Sequence, residues 1–303
     1  ARFMGRGDKE AADGAAVDAM RLVLNTVDMN GVIVIGEGEK DRAPMLFNGE
    51  KLGTGVEPSV DIAVDPIEGT RPLANGALNS IATVALAPRG TMFNPGPCVY
   101  MHKLAVGPEA KDVIDIEAPV KDNLDRIAKA LSMQVEDLTV AILDRPRHET
   151  LIREVRQCGT RIRLLPDGDV AGAMMTARKD SGVDVLMGVG GTPEGVLSAC
   201  ALKCMGGNIQ GKLYARNEQE AARAKALGYD LDQVLTINDL VSSDDLFFAA
   251  TGITNGELLH GVDYDAGFAK THSLVMRGLT GTVREIIATH RLDLLGKISR
   301  VKY

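Results

Sequence analysis

Acidic residues stand where four short apolar runs of the sequence end, and they are the strongest candidates for chemistry. Glu37 and Asp65 follow two such runs in the first half of the chain, and Asp167 and Glu194 follow two more in the second half. Each run has the length and the residue types of a buried strand. Ligands of open α/β sheets bind outside the carboxyl ends of the strands. The pattern therefore predicts carboxylate-lined ligand sites at these strand ends.

The string Asp65-Pro66-Ile67-Glu68-Gly69-Thr70 carries the most specific chemistry. Pro66 fixes its own φ and favours an extended Asp65, while Gly69 permits a turn that other residues resist. The carboxylates of Asp65 and Glu68 can then converge, and two close carboxylates repel each other unless a cation lies between them. Hard oxygen ligands of this kind suit Mg²⁺ or Mn²⁺. On the residues alone, a turn in which Asp65 caps a helix is the alternative.

Two arginines are candidates for holding phosphate groups. Arg145 and Arg147 flank Pro146 at the end of a further predicted strand. The planar guanidinium group matches phosphate oxygens with two parallel hydrogen bonds. A predicted helix start at Gly190-Gly191-Thr192 adds backbone N–H groups that no side chain obstructs. An exposed basic turn and an ordinary glycine-rich turn are the alternatives for these two features. The scattered histidines form no obvious site, and no P-loop or GxSxG motif occurs.

Size and composition are those of a globular protein large enough for two lobes. The chain has 303 residues, of which 45% are hydrophobic and 25% are charged. We place an approximate boundary at Leu143, which gives lobes of residues 1–143 and 144–303. The net charge of −7 argues against nucleic acid as a partner. No apolar run approaches the ~20 residues of a membrane helix, which argues against a membrane partner.

Helical and strand patterns alternate along the chain, which predicts the α/β class. Some segments repeat apolar residues at helical spacing, and others are short continuous apolar runs typical of buried strands. The predicted helices cover residues 11–27, 120–131, 147–157, 170–178 and 193–205. The predicted strands cover residues 32–35, 60–64, 81–87, 139–143, 161–165 and 183–187. Residues 217–232 are charged and polar, which indicates a solvated helix and loop.

The cysteines predict a reduced protein rather than a zinc site. No CxxC pair occurs among the four cysteines of the chain. Cys200 and Cys204 lie one helical turn apart in an apolar run, which predicts two buried thiols. The amino-terminal residues contain no apolar signal-peptide core. These features favour a cytoplasmic protein.

Residues 65–70 resemble the Asp-Pro-(Ile/Leu)-(Asp/Glu)-Gly-Thr signature of the lithium-sensitive, metal-dependent phosphatase superfamily. Within it, further strings between Gly5 and about His290 resemble the class II fructose-1,6-bisphosphatases. They are Gly5-Arg6-Gly7-Asp8-Lys9, Ala12-Asp13, Val34-Ile35-Gly36-Glu37-Gly38-Glu39, Ala43-Pro44-Met45-Leu46, Asp144-Arg145-Pro146-Arg147-His148, Asp167-Gly168-Asp169-Val170, Gly190-Gly191-Thr192-Pro193-Glu194-Gly195 and Ala249-Ala250-Thr251-Gly252. The resemblance implies a layered αβαβα sugar-phosphatase sandwich. We also expect a homo-oligomer, either a dimer or a tetramer.

The resemblance also implies a set of metal ligands, and every position of the set holds a carboxylate in this chain. The ligands are Asp13, Glu37, Asp65, Glu68 and Glu194. The lobe of residues 1–143 is then the metal-binding lobe, and residues 144–303 form the lobe that binds the sugar phosphate. Taken alone, Asp13 is equally a helix-capping residue, and Glu37 is equally part of a solvated turn between two glycines.

Glu194 stands at the start of a predicted helix. Thr192 suits the N-cap and Pro193 suits the N1 position, which puts Gly195 rather than Glu194 at the N3 position of a capping box. Glu194 is therefore not expected to serve that device. Apart from the family resemblance, its alternative role is to complement the positive end of the helix dipole.

By the same resemblance, the substrate is a small-molecule sugar bisphosphate. The implied substrate contacts are Glu68, Gly69, Thr70, Tyr100, Arg145, Pro146, Arg147, Asp167, Gly168, Asp169 and Gly191. Asp167 and Asp169 would accept hydrogen bonds from sugar hydroxyl groups. Tyr100, taken alone, is equally an amphipathic residue of a core or an interface.

The implied reaction is hydrolysis of the 1-phosphate of D-fructose 1,6-bisphosphate to fructose 6-phosphate and phosphate, in gluconeogenesis. Metal ions would neutralise the phosphoryl oxygens and orient a water, with Thr70 and Glu68 as catalytic residues. A threonine hydroxyl is a weak base alone, so Glu68 or Glu37 would take the proton. The alternatives are sedoheptulose 1,7-bisphosphate, alone or as a second substrate, an inositol phosphate or nucleotide, and a catalytically dead regulator. The intact acidic set argues against the last.

Overall fold

The computed structural model describes residues 1–38 and 45–298. Glu39, Ala43 and Pro44, which belong to the strings quoted above, lie outside these residues. The chain forms two compact units: the first unit consists of residues 1–92 and the chain from residue 245 onwards, and the second unit is residues 93–244. The boundary predicted at Leu143 differs from this division, because Leu143 ends a strand inside the sheet of the second unit.

Thirteen strands lie in the part of the chain that the structure describes. They are β1 (Asn30–Ile35), β2 (Lys51–Leu52), β3 (Ser59–Glu68), β4 (Ile81–Pro88), β5 (Tyr100–Val106), β6 (Thr139–Leu143), β7 (Arg161–Leu165), β8 (Val185–Gly191), β9 (Asn208–Tyr214), β10 (Phe247–Gly252), β11 (Asp263–Asp265), β12 (Phe268–Arg277) and β13 (Thr282–Arg291). Every strand predicted from the sequence is present, with ends shifted by a few residues. Strands β2, β5, β9 and β10 to β13 were not predicted.

Nine α-helices lie in the same described residues. They are α1 (Lys9–Leu24), α2 (Thr70–Asn75), α3 (Val120–Leu131), α4 (Glu149–Gln157), α5 (Val170–Thr176), α6 (Thr192–Met205), α7 (Glu218–Ala226), α8 (Ile237–Leu240) and α9 (Leu292–Ile298). The five predicted helices correspond to α1 and α3 to α6, and the solvated helix predicted within residues 217–232 corresponds to α7. None of the described helices has the length and apolar content that a membrane span requires.

The first unit is built on one mixed sheet. Its order is β11-β12-β10-β4-β3-β1-β2, and β13 pairs with β12. Strands β1 and β3 are parallel, so their carboxyl ends lie at one edge of the sheet. Helix α1 packs Val17 and Leu24 against Ile33 and Ile62 of these two strands. This helix begins after Asp8, whose side chain accepts a hydrogen bond from the N–H of Ala11.

The second unit is built on a sheet of order β7-β6-β8-β5-β9. Strand β6 is parallel to β7 and β8, whereas β5 is antiparallel to β8 and β9. The carboxyl ends of β6, β7 and β8 therefore share one edge with the start of β5 and the end of β9. The core on one side joins Val140 and Ile142 of β6 to Leu124 and Ile127 of α3. Two sheets with helices packed on them confirm the predicted α/β class.

All four cysteines are free thiols. Cys200 and Cys204 are buried within α6, as predicted from their spacing in an apolar run. Burial raises the pKa of both thiols, that of Cys204 to about 12. These two residues therefore act as small apolar groups of the core.

Candidate active site

The acidic string at residues 65–70 forms the end of β3 and the turn into α2. Asp65 pairs with Thr83 of β4 and Glu68 pairs with Ile81, so β3 carries one extra residue between these pairs and forms a bulge. Oδ1 of Asp65 accepts a hydrogen bond from the N–H of Ile67 at 3.1 Å, within the bulge. The N-cap of α2 is Gly69. The alternative in which Asp65 caps a helix is therefore wrong.

The turn after the bulge depends on Gly69 and places Thr70 at the first helical position. Gly69 has a φ of 86°, a left-handed conformation that glycine adopts without a steric cost. The hydroxyl of Ser80 donates to the carbonyl of Gly69 at 2.8 Å and holds this conformation. The hydroxyl of Thr70 donates to the carbonyl of Ile67 at 3.1 Å. Thr70 thus fixes the turn, and its oxygen keeps lone pairs that can accept a further hydrogen bond.

Asp13 and Glu37 belong to the same unit, on α1 and just beyond the end of β1. Their side chains share a hydrogen bond. Burial raises the pKa of Asp13, and the bond to Glu37 opposes part of that rise. Two carboxyl groups this close repel each other unless a proton or a cation lies between them. Asp13 lies inside α1 and is not its capping residue, which is Asp8.

The carboxylates of the first unit fit a divalent cation by their chemistry. In residues 1–38 and 45–298, no three or more His, Cys, Asp or Glu side chains form a group ready to hold a metal ion. The predicted ligands offer carboxylate oxygens, which Mg²⁺ and Mn²⁺ prefer. Carboxylate ligands bind a metal in their deprotonated form, so a cation would compete with protons for the oxygens of Asp13 and Glu37. Glu68 is only 2% exposed, and a buried carboxylate is stable in its charged form only when it is paired, hydrogen-bonded or bound to a metal.

Glu194 also has an environment that suits a cation. The N-cap of helix α6 is Gly191, whereas the sequence predicted Thr192. Thr192 and Pro193 occupy the N1 and N2 positions of the helix, so Glu194 is at N3. Its Oε2 atom is buried and has no hydrogen-bond partner among the described residues. A Cβ atom at Gly191 would lie 1.8 Å from this oxygen, so a larger residue there would displace the carboxylate of Glu194. An orphaned buried carboxylate oxygen is costly, and a cation would relieve that cost.

Lys103 and Asp169 form a buried ion pair near Glu194. Nζ of Lys103 donates to both carboxylate oxygens of Asp169, at 2.8 and 2.7 Å. Burial raises the pKa of Glu194, the charge of Lys103 opposes the rise, and the charge of Asp169 adds to it. One lysine thus balances two carboxylates. The sequence analysis missed Lys103, whose position beside the apolar run Leu104-Ala105-Val106 was the available signal.

Arg145 and Asp167 follow the parallel neighbours β6 and β7, and their side chains meet at the sheet edge. Nη2 of Arg145 donates to Oδ1 of Asp167 at 2.6 Å. Nη1 of Arg145 donates to the carbonyls of Asp144 and Pro166. Gly168, with a φ of 75°, turns the chain between Asp167 and the buried Asp169. Pro146 begins a short 3-10 helix, Pro146–His148.

Arg147 and His148 both hold the backbone of Val189. Arg147 donates from Nε and Nη2 to the carbonyl of Val189, at 3.0 and 2.7 Å. The N–H of Val189 donates to Nε2 of His148 at 2.7 Å, so the ring proton is on Nδ1, which lies 2.6 Å from the carbonyl of Leu143. Burial lowers the pKa of His148, which keeps the ring neutral. The sequence analysis assigned His148 no role, and the structure shows that it fixes the loop of Arg147.

Tyr100 begins β5 and pairs with Gly191 of β8 on one side and Tyr214 of β9 on the other. The guanidinium of Arg147 lies 5.3 Å from the centre of its ring. A second guanidinium, that of Arg216, lies 5.4 Å from the same centre. Arg216 is a further residue that the sequence analysis missed. Tyr100 thus stands among basic side chains at the sheet edge.

The sequence of the chain matches one known family. The model of the bacterial, glpX-encoded fructose-1,6-bisphosphatase family matches residues 1–290 of the chain. The chain belongs to this family. The predicted resemblance to class II fructose-1,6-bisphosphatases is confirmed.

Individual fructose-1,6-bisphosphatases are similar over most of the chain. The fructose-1,6-bisphosphatase 1 class 2 of Escherichia coli (strain K12) is 48% identical over 305 aligned residues, which cover 96% of this chain and 90% of the relative. The class 2 fructose-1,6-bisphosphatase of Shigella flexneri has the same identity and coverage. The roles of the individual site residues stay predictions at this point.

Proposed function

We propose that this protein is a phosphatase that hydrolyses the 1-phosphate of D-fructose 1,6-bisphosphate to fructose 6-phosphate and phosphate. The observation that carries the proposal is the match of residues 1–290 to the fructose-1,6-bisphosphatase family. The relatives at 48% identity are named for this activity. The reaction is a step of gluconeogenesis. We also propose that the family belongs to the lithium-sensitive, metal-dependent phosphatase superfamily, because residues 65–70 carry its signature.

We propose a divalent metal, Mg²⁺ or Mn²⁺, as the cofactor. The proposed ligands are Asp13, Glu37, Asp65, Glu68 and Glu194. When bound, the metal supplies neutralisation of phosphoryl charge and acidification of a coordinated water. The close contact of Asp13 with Glu37 and the buried Oε2 atom of Glu194 support this assignment, because a cation would stabilise both.

We assign Thr70 and Glu68 to the chemical step. The Thr70 hydroxyl donates to Ile67 and is thereby fixed in direction, so its oxygen is pre-oriented to accept a hydrogen bond from the attacking water. The hydroxyl is a weak base and passes the proton on to a carboxylate, either Glu68 or Glu37. The rigid turn at Gly69 keeps this hydroxyl in place during the reaction.

We assign the recognition of the sugar and of the non-reacting phosphate to the second unit. The proposed contacts there are Tyr100, Arg145, Pro146, Arg147, Asp167, Gly168, Asp169 and Gly191. Those proposed for the reacting phosphate are Glu68, Gly69 and Thr70. Arg147 is held in position through Val189, which leaves the Nη1 end of its guanidinium for the ligand. Asp169 already accepts from Lys103 with both oxygens, so any sugar hydroxyl would use the remaining lone pairs.

The proposed setting is the cytoplasm, with the protein acting as a dimer or tetramer of identical chains. The four free thiols support a reducing compartment. A net charge of −7 supports a small-molecule partner rather than nucleic acid.

Phosphate release from a panel of substrates tests the activity. The panel contains fructose 1,6-bisphosphate, sedoheptulose 1,7-bisphosphate, fructose 1-phosphate and an inositol monophosphate, each assayed with Mg²⁺ and with Mn²⁺. We expect the highest kcat/KM for fructose 1,6-bisphosphate, with fructose 6-phosphate as the sugar product. A Glu68→Gln variant serves as the inactive control. A higher kcat/KM for another member of the panel, or no release from the fructose bisphosphate, would contradict the proposal.

A further inference from the structure

Three arginines lie at this edge of the second sheet, and they differ in how their donors are used. Arg145 gives Nη1 to two carbonyl groups and Nη2 to Asp167. Arg147 uses Nε and Nη2 on the carbonyl of Val189. Arg216 uses Nε and Nη2 on Oε1 of Glu220. Arg147 and Arg216 are therefore anchored through the same two nitrogens, and both lie against one phenol ring.

The same two arginines keep donors that the protein does not use. Among the described residues, Nη1 of Arg147, Nη1 of Arg216 and the hydroxyl of Tyr100 make no hydrogen bond to the protein. Both guanidinium carbons lie within 5.4 Å of the ring centre of Tyr100. The two guanidinium groups and the hydroxyl of Tyr100 thus offer three unused donors close together. Donors of this kind recognise a phosphate dianion.

Backbone pairing explains why Arg216 comes to this position. Tyr214 ends β9 directly opposite Tyr100, and Arg216 follows two residues later. The backbone N–H of Arg216 donates to Oε2 of Glu220 at 2.9 Å, and Asn217 caps α7 by accepting from the N–H of Glu220. Glu220 therefore accepts hydrogen bonds from both the backbone and the guanidinium of Arg216. This double contact restricts the arginine to one direction before any ligand arrives.

We propose that Arg216 is a specificity-determining residue that completes, with Arg147 and Tyr100, the site for the non-reacting phosphate of the substrate. The inference rests on the proposed bisphosphatase function and adds to it a residue that distinguishes a bisphosphate from a sugar 1-phosphate. The unpaired Nη1 groups of the two arginines contact the phosphate oxygens. Glu220 orients Arg216 and also offsets part of its charge.

The site can be tested by comparing two substrates that share the reacting group. Fructose 1,6-bisphosphate carries the second phosphate and fructose 1-phosphate does not. Arg216→Ala should lower kcat/KM for the bisphosphate by roughly 10–100-fold, the typical value of a hydrogen bond to a charged group. Fructose 1-phosphate should be turned over equally by both enzymes. Lys225→Ala, which removes an exposed positive charge from helix α7, the helix that follows Arg216, should change the kcat/KM of neither substrate.

Calorimetric titration with fructose 6-phosphate gives a readout that does not depend on turnover. Its Kd should rise in Arg216→Ala by the same factor as kcat/KM falls, and Arg216→Lys should recover only part of the affinity because lysine lacks the fork. Glu220→Gln leaves one acceptor oxygen where the carboxylate offers two, so it breaks one of the contacts that orient Arg216 and should weaken fructose 6-phosphate binding by roughly two- to fivefold.

The outcomes separate this inference from the activity itself. An equal loss on both substrates, or an unchanged affinity for fructose 6-phosphate in Arg216→Ala, overturns the role of Arg216 while the phosphatase activity stands. Unchanged or tighter binding in Glu220→Gln counts against the orienting role of Glu220. A wild-type enzyme that binds fructose 6-phosphate through Arg216 but releases no phosphate would overturn the activity and leave the site.

Discussion

Asp13 in the first unit meets another carboxyl group, whereas Asp169 in the second unit meets a lysine. Asp13 and Glu37 repel each other unless a proton or a cation lies between them, so this contact depends on a positive charge from outside the chain. The contact of Asp169 with Lys103 needs nothing from outside, because the chain supplies the cation itself. Removing the counter-charge should therefore have different results in the two units: loss of activity in the first and loss of stability in the second.

The largest expected effect is the removal of divalent metal. Chelation with EDTA should abolish phosphate release, because the carboxylates proposed as ligands have no bound cation to neutralise the substrate. Added Mg²⁺ or Mn²⁺ in excess of the chelator should restore it. The measurement is phosphate release before and after restoration. Full activity in metal-free buffer would show that the first unit works without a cation.

Thr70→Ala probes the chemistry proposed for the first unit. If the hydroxyl orients the attacking water, kcat should fall by roughly 10²–10⁴-fold, or about 3–5 kcal/mol of barrier. KM should change little, because the loss falls on the transition state. Thr70→Ser keeps the oxygen and should keep much of the rate. Near-normal kcat in Thr70→Ala would mean that the hydroxyl serves only its bond to Ile67.

Lys103→Met probes the internal cation of the second unit. The change leaves Asp169 and Glu194 buried without their cation, and breaking such a pair costs about 3–5 kcal/mol of unfolding free energy. Urea unfolding measures the loss. Lys121→Met is the matched control, because its pair with Asp125 is exposed, and it should leave the urea midpoint unchanged. Equal midpoints for the two variants would contradict the role given to Lys103.

Arg147→Ala should have the smallest of these effects and should appear mainly in KM. We expect KM for fructose 1,6-bisphosphate to rise by roughly 10-fold or more, because the variant loses a charge-assisted contact with phosphate. Arg147→Lys should recover little, since a point charge cannot both hold the Val189 carbonyl and reach the ligand. An unchanged KM in Arg147→Ala would place the phosphate elsewhere.

The sequence predicted local elements better than the connections among them. Helix α3 and strands β6 and β7 have the predicted ends, because each is a continuous apolar or amphipathic segment bounded by turn residues. Strands β10 to β13 were not predicted, although β10 fills the place beside β4. Their pairing is decided by partners far away in the sequence, which a local pattern does not contain.

The site residues show the same limit. The carboxylates at strand ends were found from residue type and position, since the chemistry of a carboxylate does not depend on its partner. The bulge after Asp65 and the glycine N-cap at Gly191 depend on how neighbouring chain segments pack, and neither was predicted. Lys103 and Arg216 were missed for the same reason. Lys103 matters because it pairs with Asp169, and Arg216 because it lies against Tyr100, and neither contact can be read from the local sequence.

The second unit interrupts the first, and this order has a consequence for the nascent chain. Strand β4 finds β10 only after about 160 intervening residues have been synthesised, whereas every strand of the second sheet is complete before residue 244. Domains generally fold as units during synthesis, so the inserted unit should fold first on the ribosome. Until β10 has been synthesised, β4 keeps an unpaired edge with a row of open backbone groups. Early termination after the inserted unit would therefore release a chain in which the second unit is folded. The first unit of that chain would be incomplete and prone to aggregate through the open edge of β4.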